Sequence, residues 1–339
     1  MIGILYESDE WSDWKLGREL EAALAGETDT GSKTKAGSCA ATSRGIEEAS
    51  DLAETPRSAE SVAPEADSGR APWQHVCLIN MEDPDCVERA CACDLLVSRV
   101  FASAPFRGHH RAHEAMERII GAAEVAGIPL VNPGRAHRFE IDKRLAADTL
   151  RKAGVTVPAI IAEGAPDELA GAADVWPYPC IVKPNCGGRT THTAVLHSPA
   201  DAEAFLATAP DLSFIVEPFI EAAGGFLTRI EVVDSRIALV VKRSVAASGL
   251  SSYHEGSTYE LYPDCPAAVT DAVLEAARIL DIQFGSFDVI EAAEGNFIID
   301  ANSVSNVSED CTELFGLDLM AAYAQALAER YRALQASAH

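Results

Sequence analysis

A chain of 339 residues with 52 acidic and 27 basic side chains carries a formal charge of −25, a field that repels nucleic acid and anionic lipid and argues against both as partners. Apolar residues make up 48% of the chain, enough for two or three domains with their own cores, and no apolar run is long enough to span a bilayer. The start, MIGILYESDE, has neither a basic leader nor a cleavage site, so a cytoplasmic protein is expected, and its nine cysteines are expected as free thiols.

An apolar strand is predicted over Ile2–Tyr6, followed by an amphipathic helix through Trp14, Leu16, Leu20 and Leu24. Residues 26–72 then offer only Ile46, Leu52 and Val62 as large aliphatics and no aromatic before Trp73, too little to offset chain entropy; a flexible insertion is expected there. Strands at His75–Asn80, Leu95–Phe101 and Pro129–Val131 alternate with helices over 84–92 and Ala112–Ala126, the pattern of a small parallel α/β domain ending near 133. A helix carrying Lys143, Leu145 and Leu150 ends at Gly154. Beyond it come strands at 180–183, 194–196 and 213–217 with a helix at 199–207, a long strand pair at 226–233 and 236–243, and helices at 266–280 and 317–334. The division expected is 1–133, 134–225 and 226–339.

Between the last two helices lies GSFDVIEAAEGNFIIDANSVSN (285–306), which reads as strand, acidic turn and strand. In such a hairpin Asp288 and Asp300 come close, and Asp300 and Asn302, two apart, share a face. Three hard oxygen ligands at one spot suit Mg²⁺ carrying nucleotide phosphates, because that ion takes a few carboxylates and completes its shell from substrate and water. The same residues also fit a surface hairpin with solvated acids.

In an acidic chain a nucleotide needs a local cluster of cations. An apolar strand, Tyr178 to Val182, delivers Lys183, and the Gly187-Gly188 turn follows with Arg189, Thr190 and Thr191. Glycines let backbone N–H groups face a phosphate closely. No helix opens with Gly-Lys-Ser/Thr, so this is not a Walker loop. The strand Phe214–Glu217, running into Pro218, Phe219 and Ile220, can hold an adenine edge between apolar walls or be a plain buried strand end. Arg229, Lys242 and Arg243 add cations if the strand pair points them the same way.

The order of these features resembles the ATP-grasp superfamily, in its RimK-type, glutamate-ligase-like carboxylate–amine ligases, over roughly 95–335. The matching stretches are Val97-Ser-Arg99-Val, Asp142-Lys143 with Leu150 and Ala153 to Pro158, Ile181-Val-Lys183-Pro, Val216-Glu217 with Phe219-Ile220, Arg229, Arg243, Phe287-Asp288 and Ile299-Asp300-Ala-Asn302. The resemblance implies an α/β ATP-grasp fold, an N-terminal parallel domain followed by two α+β subdomains clamping ATP. It implies that Lys143, Lys183, Gly187, Gly188, Glu217, Pro218, Phe219, Ile220 and Arg243 bind ATP. Asp288, Asp300 and Asn302 would bind two Mg²⁺ ions, with Mn²⁺ able to substitute. Lys183, Arg229 and Arg243 would serve catalysis, joining a small-molecule or peptide carboxylate to an amine through an acyl-phosphate. A small-molecule kinase and a non-catalytic ATP-binding module are the alternatives.

Three departures bear on substrate. Asp300 stands where that family usually has Glu, Leu227 stands where an acid often meets the ribose, and Ser303-Val304-Ser305-Asn306 replaces Ser-Pro-Gly. The acceptor is therefore not expected to be the standard glutamate or ribosomal tail. Candidate substrate residues are Arg99, Arg107 and His110, near the end of a strand, and Tyr253 and His254 in a serine-rich loop. His110 and His113, three apart, also fit a metal pair, Cys186 is the thiol expected to be exposed, and a homodimer is the default assembly.

Overall fold

The computed structural model describes residues 1–8, 10–26, 73–246, 249–250, 257–305, 307–308 and 311–337. The insertion expected over 26–72, apart from Gly26, and the substrate candidates Tyr253 and His254 lie outside them.

Three sheets organise the chain. The first is parallel, in the order β2-β1-β3-β4, from β1 (Ile2–Tyr6), β2 (Val76–Asn80), β3 (Leu95–Arg99) and β4 (Leu130–Val131). Its strands are near-continuous apolar runs because helices cover them. The covering helices are α1 (Trp11–Ala25), α2 (Cys86–Cys91) and α3 (Ala112–Ala126). Leu16 and Leu20 on α1 are fully buried, and Gly26 ends that helix in the left-handed conformation at φ 79°. β3 stops at Arg99, two residues earlier than the apolar run predicts, where its pairing with β1 also ends at Tyr6.

The second sheet is antiparallel, in the order β5-β8-β6-β7, from β5 (Ala162–Gly164), β6 (Cys180–Pro184), β7 (Ala194–Leu196) and β8 (Phe214–Pro218). Helices α6 (Pro166–Ala170) and α7 (Pro199–Leu206) close its core around Trp176, Val182 and Phe214. β5 has no signature in the sequence, since Ala-Glu-Gly offers no apolar alternation.

The third sheet is also antiparallel, in the order β11-β10-β9-β12-β13, from β9 (Phe226–Val233), β10 (Arg236–Ser244), β11 (Tyr259–Leu261), β12 (Gly285–Ala292) and β13 (Gly295–Asn302). Helices α4 (Gly134–Glu140), α5 (Lys143–Lys152) and α8 (Ala267–Leu280) pack on it, burying Phe139, Leu150, Val273 and Leu280 against Ile230, Phe287 and Val289. The stretch 134–157 thus shares the core of the third sheet.

After α9 (Cys311–Phe315), the terminal helix α10 (Leu319–Ser337) returns to α1, and one apolar core joins Ile4, Leu16 and Leu20 to Val233, Phe284, Met320 and Leu327. Asn132, just past β4, adds a fully used amide. Its Nδ2 donates to the carbonyls of Phe284 (2.6 Å) and Ser303 (2.7 Å), and its Oδ1 accepts from the backbone of Gln283 and Phe284. The first and third sheets are therefore bonded as well as packed. Among the described residues no helix is long and apolar enough to cross a membrane.

Candidate active site

The β12–β13 hairpin forms as its sequence predicts, with Asp288 directly opposite Asp300 and Ser286 opposite Asn302. One irregularity matters. The pairing steps from Asp288↔Asp300 to Val289↔Ile298, so Ile299 is an extra residue in β13. Such a bulge lets consecutive side chains share a face, which strict alternation forbids. Ile299 and Asp300 accordingly line the same cavity, and the Ile299 carbonyl accepts a hydrogen bond from Lys183 Nζ at 3.0 Å.

Each carboxylate is met by cations from other elements. Lys143, at the start of α5, lies 2.5 Å from Asp300 Oδ1. Asp288 is met by Arg243 of β10 at 3.0 Å and Arg229 of β9 at 3.4 Å. Arg229 is also paired with Glu231 at 2.8 Å and donates to the hydroxyls of Ser286 (2.8 Å) and Ser305 (3.1 Å). Lys183 of β6 pairs with Glu217 of β8 at 2.9 Å.

Charge coupling prevails over desolvation at Asp300, Lys143 and Arg229. Burial favours the neutral form of Asp300, but Lys143 and Lys183 overcome it and hold the carboxyl below its ordinary value. Burial likewise lowers the Lys143 ammonium, and Asp300 more than offsets it, so the net direction is up. Glu231 and Asp288 do the same for Arg229. Lys143 and Arg229 therefore stay charged and the Asp300 carboxylate stays ionised, which suits a site for anionic or metal ligands.

Between the second and third sheets these residues enclose a cavity of about 330 Å³. It is lined by Lys143, Lys183, Gly187, Gly188, Glu217, Pro218, Phe219, Ile220, Arg243, Asp288 and Asp300, which are the sequence-derived nucleotide residues and two of the three metal candidates. Arg229 stands behind Asp288, and Asn302 ends the strand beyond the lining. The apolar walls come from Ile181, Leu227, Leu250, Ile290 and Ile299 besides Phe219. Ile290 follows Asp288 by two on one strand and was open to inference from alternation; Ile299 was not, because its placement depends on the bulge.

The donor set is chemically suited to a hard cation: two carboxylates face each other on paired strands, with an amide two residues further along one of them. Among the described residues no three His, Cys, Asp or Glu side chains come together as a metal cage. An ion held by Asp288 and Asp300 would need ligands from outside this set of side chains.

The substrate candidates fare differently. Arg99 is 2% exposed, its Nε 2.7 Å from Asp13 and its other nitrogens each donating once, to Ser12 Oγ and to the Ser305 carbonyl. It fastens the first sheet to the 303–305 stretch. Arg107 is partly buried and bound to Glu7, to Ser8 Oγ (2.8 Å) and to Glu10 (2.7 Å). His110 is exposed, and His113 lies against the Phe101 carbonyl at 3.1 Å and edge-on to His137, in place of the metal pair its spacing allows. Cys186 is half-buried, its thiol donating to the Ala102 carbonyl at 3.5 Å, and burial pushes its pKa up to about 11, so the exposed thiol expected there is absent. Glu140 escaped the sequence reading. Buried beneath the site, it accepts hydrogen bonds from the Ser303 backbone (2.8 Å), the Ser303 hydroxyl and Ala102, and burial raises its carboxyl to about 7.

A parallel α/β domain followed by two antiparallel sheets that clamp a lysine- and glycine-lined cavity over a carboxylate hairpin defines the ATP-grasp fold. A RimK domain ATP-grasp protein from Sphaerobacter thermophilus shares it, with a TM-score of 0.58 over 95% of this chain and 97% of that one at 17% identity. No protein-family model matches the chain. In sequence it is similar to a probable alpha-L-glutamate ligase of Desulfotalea psychrophila, 26% identical over 184 residues, which span 53% of this chain and 39% of that relative's length. A probable alpha-L-glutamate ligase of Teredinibacter turnerae is 26% identical over 214 residues, or 62% of this chain and 68% of the relative. The ATP-grasp resemblance read from the motifs thus holds in fold and in sequence relatives alike.

Proposed function

We propose that the protein is an ATP-dependent ligase that joins a carboxylate to an amine and releases ADP and phosphate. The observation that carries this reading is the single cavity into which Lys143, Lys183, Arg243, Asp288 and Asp300 all project. In the reaction a substrate carboxylate oxygen bonds to the γ-phosphorus as the bond to ADP breaks. The amine nitrogen then attacks the acyl carbon, loses a proton and expels phosphate.

The chain's part is positioning and charge compensation. Lys143 and Lys183 would neutralise phosphate oxygens, Arg243 would face the transferred group, and Arg229 would hold Asp288 in place. The 217–220 segment, Ile181, Ile290 and Ile299 offer an apolar slot for a purine. Asp288, Asp300 and Asn302 would hold Mg²⁺, two ions in our reading and replaceable by Mn²⁺, which neutralises polyphosphate charge when bound. Leu227 on the cavity wall supports a ribose contact without an acid.

The carboxylate and the amine belong to a small molecule or a peptide, and the altered 303–306 stretch favours an acceptor other than glutamate. We place the work in the cytoplasm, by a homodimer. The division 1–133, 134–225 and 226–339 is also our reading, with 134–157 bracing the lid on the core of the third sheet.

The test is ADP release from Mg²⁺-ATP across a panel of amino acids and short peptides, offered singly and in pairs, with Asp300→Ala as control. Release that needs both an acid and an amine and disappears in the variant is the expected result. A phosphorylated product made from one substrate alone would overturn it.

A further inference from the structure

The cleft leaves one chemical feature of the first sheet unused. Cys77 on β2 and Cys93 at the foot of β3 place their sulfurs 3.6 Å apart, on either side of the central strand β1. Gly3 makes the approach possible: a Cβ there would stand 2.8 Å from the Cys93 sulfur. Both cysteines are free thiols, Cys93 buried and Cys77 half-exposed at the sheet edge.

We propose that Cys77 and Cys93 form a reversible redox site, a dithiol that a small disulfide of the glutathione class converts to an intramolecular disulfide. The two sulfurs need to close by ~1.5 Å to reach bonding distance, and because β1 lies between the two strands this takes backbone movement at the α2–β3 turn as well as side-chain rotation. Cys77 is the attacking thiol. It is the more exposed of the two, and the Cys93 S–H beside it and Arg89 both favour its thiolate, so its pKa moves down. Its sulfur attacks one sulfur of the small disulfide, whose S–S bond breaks and releases one small thiol. Cys93 then attacks the Cys77 sulfur of the mixed disulfide and expels the second small thiol. The two protons lost from the protein leave on those thiols, and the two electrons that reduce the reagent come from the cysteine pair.

The product staples β2 to the turn before β3 across β1. It would rigidify the edge of the first sheet, where among the described residues β2 pairs with β1 alone. Cys91, exposed and only two residues from Cys93, is the competing thiol and serves as an internal control.

The experiment treats the full chain with glutathione disulfide under native conditions and digests it, unreduced, with trypsin. Cleavage after Arg89 separates the peptide carrying Cys77 and Cys86 from the one carrying Cys91 and Cys93. The expected product is a cross-linked peptide pair lacking two hydrogens, assigned by fragmentation to Cys77 and Cys93 and reversed by dithiothreitol. Cys93→Ser should leave glutathione trapped on Cys77, and Cys77→Ser should leave Cys93 unmodified; equal thermal midpoints for the reduced variants and the reduced parent check that all are folded. A cross-link through Cys86 or Cys91, a stable glutathione adduct on Cys77 in the parent, or a pair that stays reduced while Cys91 is modified would overturn the proposal.

Discussion

Gly187 shows how little freedom single positions around the cavity have. Its φ is 150°, and a Cβ there would lie 2.4 Å from Cε2 of Phe106, so alanine at this site meets both backbone strain and a ring that must move. The position is on a loop, so global stability should change little while ATP handling suffers. Gly187→Ala is expected to raise the KM for ATP by roughly tenfold, the equivalent of about 1.4 kcal/mol, with a thermal midpoint close to that of the parent; steady-state kinetics and a melting curve check both halves. Asp288 is constrained by charge, since Arg243 and Arg229 both lean on it. Asp288→Asn removes a proposed metal carboxylate and leaves two partly buried guanidinium groups under-compensated. A fall in kcat on the order of 10²-fold or more is expected, and raising Mg²⁺ should not restore it. Asp300 and Lys183 were legible because charged residues near the ends of apolar strands stand out in a sequence, Asp288 because it interrupts an apolar strand, and Lys143, which opens a helix, through its place in the order of motifs. Arg99 stands out for the same reason as Asp300 and Lys183. Its partner Asp13 is remote in sequence, and nothing local to Arg99 signals that the charge is already paired.

At the level of elements, the glycine-rich segment between β6 and β7 is held by the first domain as much as by its own sheet. Arg189, Thr190 and His192 all sit at positive φ, near 60°, 57° and 55°. For side chains with a Cβ this costs on the order of 1 kcal/mol each and needs contacts elsewhere to offset it. Arg189 supplies one by pairing with Glu10 at 2.6 Å, and the same Glu10 oxygen accepts from Arg107 at 2.7 Å. His192 meets Phe106 edge-on with ring centres 6.0 Å apart. Glu10 thereby links the cavity's cover to the turn that follows β3. Glu10→Ala should free the segment by about 1 kcal/mol, the value of a partly exposed ion pair. Amide exchange over 187–193 should then quicken by roughly fivefold, and an unchanged rate would show that the ring contact alone holds the segment. The sequence announced the segment through Gly187-Gly188, and the helices and strands of the first domain through their periodicity. The tether was not legible, because it joins residues 179 positions apart whose charges look like ordinary surface charges.

Across the whole molecule, an excess of acid combined with deep burial of some carboxyls sets the response to pH. Burial pushes the Glu7 carboxyl from an ordinary value of 4.5 up to about 8, despite the guanidinium of Arg107 against it. His137, buried with neither ring nitrogen partnered, is driven the other way, to about 3, so its folded form is neutral and only the part-protonated unfolded imidazole near pH 6.5 adds a small slope of opposite sign, which fades toward pH 8. Between pH 6.5 and 8 the folded chain therefore keeps a proton on Glu7 that the unfolded chain has lost. Stability falls with rising pH wherever the folded state binds more protons, by up to about 1.4 kcal/mol per pH unit for one group. The Glu7 contribution is complete below pH 4.5 and is lost as pH climbs through about 8. Glu140, raised to about 7, adds to the same slope near the lower end of that window. General repulsion within a chain of charge −25 also weakens the fold as pH rises, but salt screens it, whereas the buried carboxyl is shielded from salt. Denaturant melts at pH 6.5, 7.25 and 8 in ~0.5 M salt should therefore still show the parent losing stability, while Glu7→Gln, which cannot titrate, should show a markedly flatter profile. Equal slopes in parent and variant would mean that Arg107 keeps Glu7 ionised throughout, and that the loss belongs to the surface charge.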